Sequence, residues 1–85
     1  MRTINYIVKD PQGMHARPAG ALVKEAKQYE SSIVIKADGK EADAKRILSV
    51  MGLGVKQGYE IQVVIEGSDE ELAENNIAEF LKKFL

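Results

Sequence analysis

The sequence predicts an α+β fold, a four-stranded antiparallel sheet with three helices on one face, in the order βαββαβα. Two patterns predict it. Four short stretches carry alternating or β-branched apolar residues bounded by turn residues, and three carry apolar residues at helical spacing with charges on the other side. Each helix offers one apolar stripe, so the simplest burial is against one apolar sheet face, with the opposite sheet face left to solvent. Neither repeats nor linkers interrupt the 85 residues, which read as one domain, 1–85, too short for a catalytic domain beside a binding domain.

In chain order, Ile4, Tyr6 and Val8 alternate with Asn5, Ile7 and Lys9 as a strand that Asp10-Pro11-Gln12-Gly13 ends. From Ala16 to Tyr29, Ala19, Leu22, Val23 and Ala26 mark one side of an amphipathic helix, with Lys24, Glu25, Lys27 and Gln28 on the other. Pro18 suits its first turn, where N–H groups are spare. Ser32 to Ala37 is a second strand, and Asp38-Gly39 is a hairpin signal into a third that ends near Ala42. Ala44 to Gly52 reads as a short helix with Ile47, Leu48 and Met51 along one side, closed by Gly52 and Gly54. Tyr59, Ile61, Val63 and Ile65 alternate as the fourth strand. Ser68 and Glu71 stand at capping-box spacing before a final helix carrying Ala73, Ile77, Phe80, Leu81 and Phe84.

Composition narrows the function classes. Hydrophobic residues at 45% and charged residues at 29% are a globular balance rather than that of a disordered chain. A chain of this size buries about 60–70% of its unfolded surface, so any ligand site should be shallow. The absence of cysteine excludes disulfides, thiolate nucleophiles and Cys-ligated zinc. No signal-peptide pattern and no apolar run of membrane-spanning length is present, so a cytoplasmic address and no membrane insertion are expected. A formal charge of −1 gives no general attraction to nucleic acid, and the five aromatics are scattered over expected core positions rather than arranged as a stacking platform.

The single histidine falls in Gly13-Met14-His15-Ala16-Arg17-Pro18, where a turn meets a helix. First-turn amides point outward without partners and favour a neighbouring anion by about 0.3–1 kcal/mol, up to ~2 in good geometry. A phosphate on the imidazole would be well placed there, with Ala16, Arg17 and Pro18 around it. Arg17 adds a permanently charged fork of donors suited to phosphate oxygens. A neutral imidazole nitrogen is nucleophilic and also a fair leaving group, the pair of properties a phosphoryl relay needs. A surface histidine beside a solvated arginine fits these residues as well. Metal binding does not, since no second His, Cys or paired carboxylate accompanies His15, and no cofactor is implied.

The segment Gly13-Met14-His15-Ala16-Arg17-Pro18-Ala19 resembles the active-site segment of the HPr family of histidine-containing phosphocarriers. Val50-Met51-Gly52-Leu53-Gly54-Val55 and Gly67-Ser68-Asp69-Glu70-Glu71 resemble the regions that follow the family's short helix and open its last one. The resemblance covers nearly the whole chain and implies the family's open-faced β-sandwich. It implies that His15 accepts a phosphoryl group on Nδ1 from enzyme I, which draws it from phosphoenolpyruvate, and donates it to a IIA domain of a sugar permease. Arg17 would stabilise the phosphate. Ala16, Gly20, Ile47, Leu48 and Met51 would form an apolar patch that both partners contact; plain core packing is the competing reading, although at least Leu48 should be exposed because one short helix cannot bury all three of its apolar residues. The protein would be a phosphotransferase-system component rather than a stand-alone enzyme, and a monomer by default.

The sequence departs from the pattern at one position. Where many members carry a regulatory serine before Ile47, this chain has Arg46, which either meets acidic groups on a partner or is a solvated charge; Ser49, one turn onward, is a weaker candidate phosphosite. Two other readings fit the same residues. A paralogous carrier serving a non-sugar relay would share these motifs, and a regulatory module acting by contact alone would keep the surface without needing His15.

Overall fold

The computed structural model describes residues 1–85. The elements are β1 (Arg2–Ile7), α1 (Ala16–Ala26), β2 (Ser32–Ala37), β3 (Lys40–Asp43), α2 (Ile47–Gly52), β4 (Glu60–Glu66) and α3 (Glu70–Phe84). Their order is the expected βαββαβα. The strands form one sheet in the spatial order β1-β4-β2-β3, every neighbouring pair antiparallel. The last strand in sequence thus lies between the first and the second.

Strand alternation sorts the two sheet faces. Ile33, Ile35 and Ala37 of β2 and Ile61, Val63 and Ile65 of β4 are buried on one face, while Lys36, Glu60 and Glu66 stay exposed on the other. The register Ile35↔Val63 and Ile4↔Val63 aligns these apolar residues across three strands. Against them α1 buries Pro18, Ala19, Leu22, Val23 and Ala26, and α3 buries Ala73, Ile77, Phe80 and Leu81. The result is an open-faced β-sandwich with one cluster of 23 buried hydrophobic residues between sheet and helices. No helix is long and apolar enough to cross a membrane. Asp38 and Gly39 both take positive φ, 50° and 76°, as the tight hairpin between β2 and β3 requires.

Strand ends shift by one or two residues, and three helix ends differ from the sequence reading. Helix α1 ends at Ala26 rather than Tyr29, because the amides of Gln28 and Tyr29 bond three residues back, to Glu25 and Ala26, and tighten the chain out of the α-helix. Tyr29 is buried nonetheless. Its hydroxyl donates to Glu25 Oε2 at 2.6 Å and accepts from Asn76 Nδ2 at 2.8 Å. Burial and the adjacent Glu25 carboxylate push this phenol above its usual range.

Helix α2 starts at Ile47 rather than Ala44. The Ala44 amide donates to Ile33 O at 2.9 Å and so still belongs to the sheet. The Asp43 carboxylate then accepts the Lys45 amide at 2.9 Å, which turns the chain before Arg46. The inward residue of α2 is Val50, followed by Leu53, and the Ile47-Leu48-Met51 side faces outward.

Ser68 and Glu71 do not form the expected capping box. Glu70 Oε1 accepts the Gly67 amide at 3.1 Å, the same three-residue spacing displaced by one, while Ser68 Oγ donates to Glu30. Asp69, at the N-cap, turns its carboxylate to the α1–β2 loop instead. It accepts the Glu30 and Ser31 amides at 2.9 and 3.0 Å and the hydroxyl of buried Ser31. These bonds, led by the Ser31 hydroxyl and then the Glu30 amide, hold the Asp69 carboxyl below its ordinary range. The N-terminal ammonium, followed by the Gly67 amide, does the same for Glu70.

Candidate functional site

The site begins in the loop from Lys9 to His15, which bonds on both flanks fasten. The amides of Lys9 and Asp10 donate to Leu85 O at 2.6 and 2.9 Å, so the end of α3 holds the start of the loop. Within the loop, Asp10 accepts the Gln12 amide on its carboxylate at 2.8 Å and the Gly13 amide on its carbonyl at 2.9 Å. Gly13 has φ +65° and lies flat against the backbone at Val55 in the loop between α2 and β4. A Cβ there would collide with the Val55 carbonyl oxygen and stand 2.7 Å from Lys56 Cα. The Met14 amide donates to that same Val55 oxygen at 3.0 Å, and the Met14 side chain is buried.

His15 therefore lies between two anchored residues, with Met14 sunk behind it and Pro18 and Ala19 buried in the first turn of α1. It occupies the N-cap of α1 in extended conformation, φ −82° and ψ −178°. Its carbonyl accepts the Ala19 amide at 3.0 Å, while its imidazole makes no capping bond. The ring is half-buried and remains available for chemistry. Pro18 lacks an N–H, so the outward-pointing donors of this turn are the Ala16 and Arg17 amides. Arg17 is exposed, and its guanidinium joins no ion pair.

His15, Arg17 and Pro18 line one shallow depression of about 330 Å³, together with Asp10, Ala21 and Phe84. The depression thus brings His15 and Arg17 together, an imidazole and a guanidinium able to receive an anion with several oxygens, while Ala16, whose amide is also free, does not line it. Asp10 stands among them as the one carboxylate. Asp10, Ala21 and Phe84 were not among the site residues read from the sequence. Phe84 in particular follows Phe80 by four residues and reads as core there, yet it is 44% exposed.

The residues expected to form an apolar surface fall beside this depression. Ala16 and Gly20 share one side of α1 at i,i+4 spacing. A Cβ on Gly20 would stand 3.9 Å from Ile47 Cδ1, so α1 and α2 meet there. Leu48 is 82% exposed and packs in no core, whereas Ile47 at 38% and Met51 at 41% are partly covered and partly open to solvent. Arg46 is exposed, with its Nε 3.9 Å from Asp43 Oδ2, a surface pair of small energetic weight. Ser49 is exposed on the same helix.

Comparison with known proteins gives one answer across family, sequence and structure. The family model described as the PTS HPr component phosphorylation site matches residues 3–83. The phosphocarrier protein HPr of Lysinibacillus sphaericus is 43% identical over 81 residues, which is 95% of this chain and 92% of that protein. The crystal structure of HPr-C-His from Thermoanaerobacter tengcongensis superposes with a TM-score of 0.91 at 35% identity, covering 96% of this chain and 92% of that one. The Bacillus subtilis catabolite repression protein Crh, described as a dimer with a swapped domain, superposes with a TM-score of 0.77 at 32% identity, covering 100% and 98%.

Proposed function

This chain belongs to the PTS HPr family of phosphocarrier proteins, and on that premise we propose that His15 accepts a phosphoryl group from enzyme I and passes it to IIA domains of sugar permeases. The observation that carries this reading is the placement of the His15 imidazole at the N-cap of α1, in one depression with Arg17. In the forward step the Nδ1 lone pair forms a bond to phosphorus while the bond from phosphorus to enzyme I breaks, its electron pair staying with enzyme I. The Ala16 and Arg17 amides and the Arg17 guanidinium meet the charge on the equatorial oxygens. The second step is the same exchange with a IIA domain as acceptor. Because the small protein supplies only the nucleophile and anion donors, each partner provides the remaining catalytic groups.

Ala16, Gly20, Arg46, Ile47, Leu48 and Met51 form the proposed docking surface for both partners. Apolar anchors beside a charged centre suit an interface that must form and dissolve at each transfer. Residues 1–85 act as one domain in this proposal, and one chain carries every residue invoked, so the working unit is a cytoplasmic monomer; sedimentation of the phosphorylated protein tests that against a swapped dimer of the Crh kind. A carrier for a non-sugar acceptor would use the same site and differ only in which IIA-like protein removes the phosphate.

The test is incubation with enzyme I and phosphoenolpyruvate, followed by intact mass spectrometry, with His15→Ala alongside. One acid-labile phosphate on the unmutated protein and none on the variant is expected. No phosphate on either, with enzyme I active on another carrier, would replace the carrier by a regulator that acts through contact alone.

A further inference from the structure

Phe84 transfers no phosphoryl group and binds none, and its position is unusual for an aromatic residue on the apolar stripe of a helix. The stripe of α3 that buries Ala73, Ile77 and Phe80 runs beyond the sheet, so its last member meets the His15 loop rather than a strand. There the ring forms a wall common to two surface depressions. One is the 330 Å³ site that holds His15 and Arg17, and the other is a groove of about 730 Å³ bordered by Glu25, Asn76, Glu79 and Lys82. The ring is the ridge between them.

Its position is held from several sides. Phe80 packs against it with ring centroids 4.6 Å apart and planes inclined at 31°, and Lys83 Nζ lies 5.8 Å from its centroid. The neighbouring Leu85 is buried and its carbonyl oxygen accepts both loop amides, so backbone bonds tie the Phe84 wall to the segment that carries His15. A large apolar side chain left 44% exposed adds little to the core, yet here it packs against Phe80 and Lys83.

We infer that Phe84 is a positioning residue of the phosphoryl site, a wall that limits water at phosphorylated His15 and confines the Arg17 guanidinium to the phosphate. The inference rests on the reading of His15 as the phosphoryl acceptor. A carrier has to hold its cargo between two encounters, and the competing reaction is hydrolysis. In that reaction a water oxygen bonds to phosphorus as the P–Nδ1 bond breaks, the imidazole takes one water proton, and hydrogen phosphate leaves. Removing the ring would merge the site with the neighbouring groove and admit water along the side that Phe84 closes. Apolar surface beside the phosphate also lowers the local dielectric and strengthens its attraction to Arg17.

The experiment phosphorylates the full chain with enzyme I and phosphoenolpyruvate, removes enzyme I, and follows loss of the phosphate by intact mass. The same decay is measured for Phe84→Ala and Phe84→Leu, and thermal unfolding of all three proteins is recorded. The phosphorylated fraction of Phe84→Ala should lose its phosphate about three- to tenfold faster than that of the unmutated protein, a barrier lowered by about 0.7–1.4 kcal/mol. Phe84→Leu, which keeps an apolar wall, should restore most of the lifetime. Equal decay of the alanine variant and the unmutated protein would overturn the inference. So would equal acceleration in the alanine and leucine variants that tracks a shared loss of thermal stability, since that marks a structural effect. If the unmutated protein takes up no phosphate, it is the reading of His15 that fails.

Discussion

Gly13→Ala tests how the loop before His15 is held, and the local geometry sets its cost. Gly13 sits at φ +65°, where a residue with a Cβ pays about 1–2 kcal/mol. The new Cβ would also meet backbone, the Val55 carbonyl oxygen and Lys56 Cα, neither of which can rotate away as a side-chain tip would. Forcing them apart costs about 1–3 kcal/mol as overpacking. It also weakens the bond from the Met14 amide to Val55 O, a further ~1 kcal/mol. Stiffening of the unfolded chain returns about 0.4–1 kcal/mol. The net loss is about 2–5 kcal/mol, a large part of the ~4–13 kcal/mol expected for a domain this size.

Gly54→Ala is the matching control. Gly54 has φ +64°, within a degree of Gly13, but a Cβ there meets nothing within 4 Å, so only the conformational cost of about 1 kcal/mol remains. Urea titration followed by circular dichroism should place the Gly13→Ala midpoint about 1–4 M below that of Gly54→Ala, for a slope of roughly 1 kcal/mol per molar. Midpoints that agree within about 0.5 M would refute the reasoning, because they would mean the loop moves off Val55 at no cost. In the Gly13→Ala protein that remains folded, uptake of phosphate by His15 should be slower, since the displaced segment is the one that carries the imidazole to the N-cap.

Further tests address the other parts of the molecule. Leu48→Ala should leave stability within about 0.5 kcal/mol, because Leu48 is 82% exposed, and should raise the KM of enzyme I for this protein. Val50→Ala on the same short helix should cost about 2–3 kcal/mol, and equal stability losses at the two positions would contradict the assignment of inner and outer sides. Arg17→Ala should slow phosphoryl uptake by about tenfold or more, with Arg17→Lys between it and the unmutated protein; an unaltered rate in the alanine variant removes Arg17 from the site. Arg46→Glu should slow phosphorylation by enzyme I if Arg46 meets acidic groups there, and an unchanged rate marks it as a solvated charge. Asp69 and Glu70 are held below their ordinary values of 3.8 and 4.5, so both stabilise the fold in ionised form. That contribution is fully present above those values and disappears as the pH falls through the lower values of the folded state. Asp69→Asn should therefore lower the urea midpoint at pH 7 and flatten its decline below about pH 3.8, whereas a variant that parallels the unmutated protein at every pH would show that the Ser31 clamp contributes nothing.

The sequence by itself determined the number, type and order of the elements, because each is encoded by local periodicity and by turn residues such as Asp38-Gly39. It also singled out His15 and Arg17, since turn, histidine, arginine and helix start lie within a few consecutive residues and need no long-range contact to be placed together. Boundaries were less legible where side chains had two choices. Asp43 turned the chain before α2, and Asp69 spent its carboxylate on Glu30 and Ser31 across the molecule, leaving Glu70 to close on Gly67. Periodicity also marked Ile47, Leu48 and Met51 as one apolar side but not which side faced the core, and Val50 took that place. Only the tertiary structure decided the strand order β1-β4-β2-β3 and the meeting of α3 with the His15 loop. An apolar stripe states which side of a helix is to be covered and carries no information about where the covering sheet ends, so Phe84 reads as core in the sequence and becomes a wall of the site in the fold.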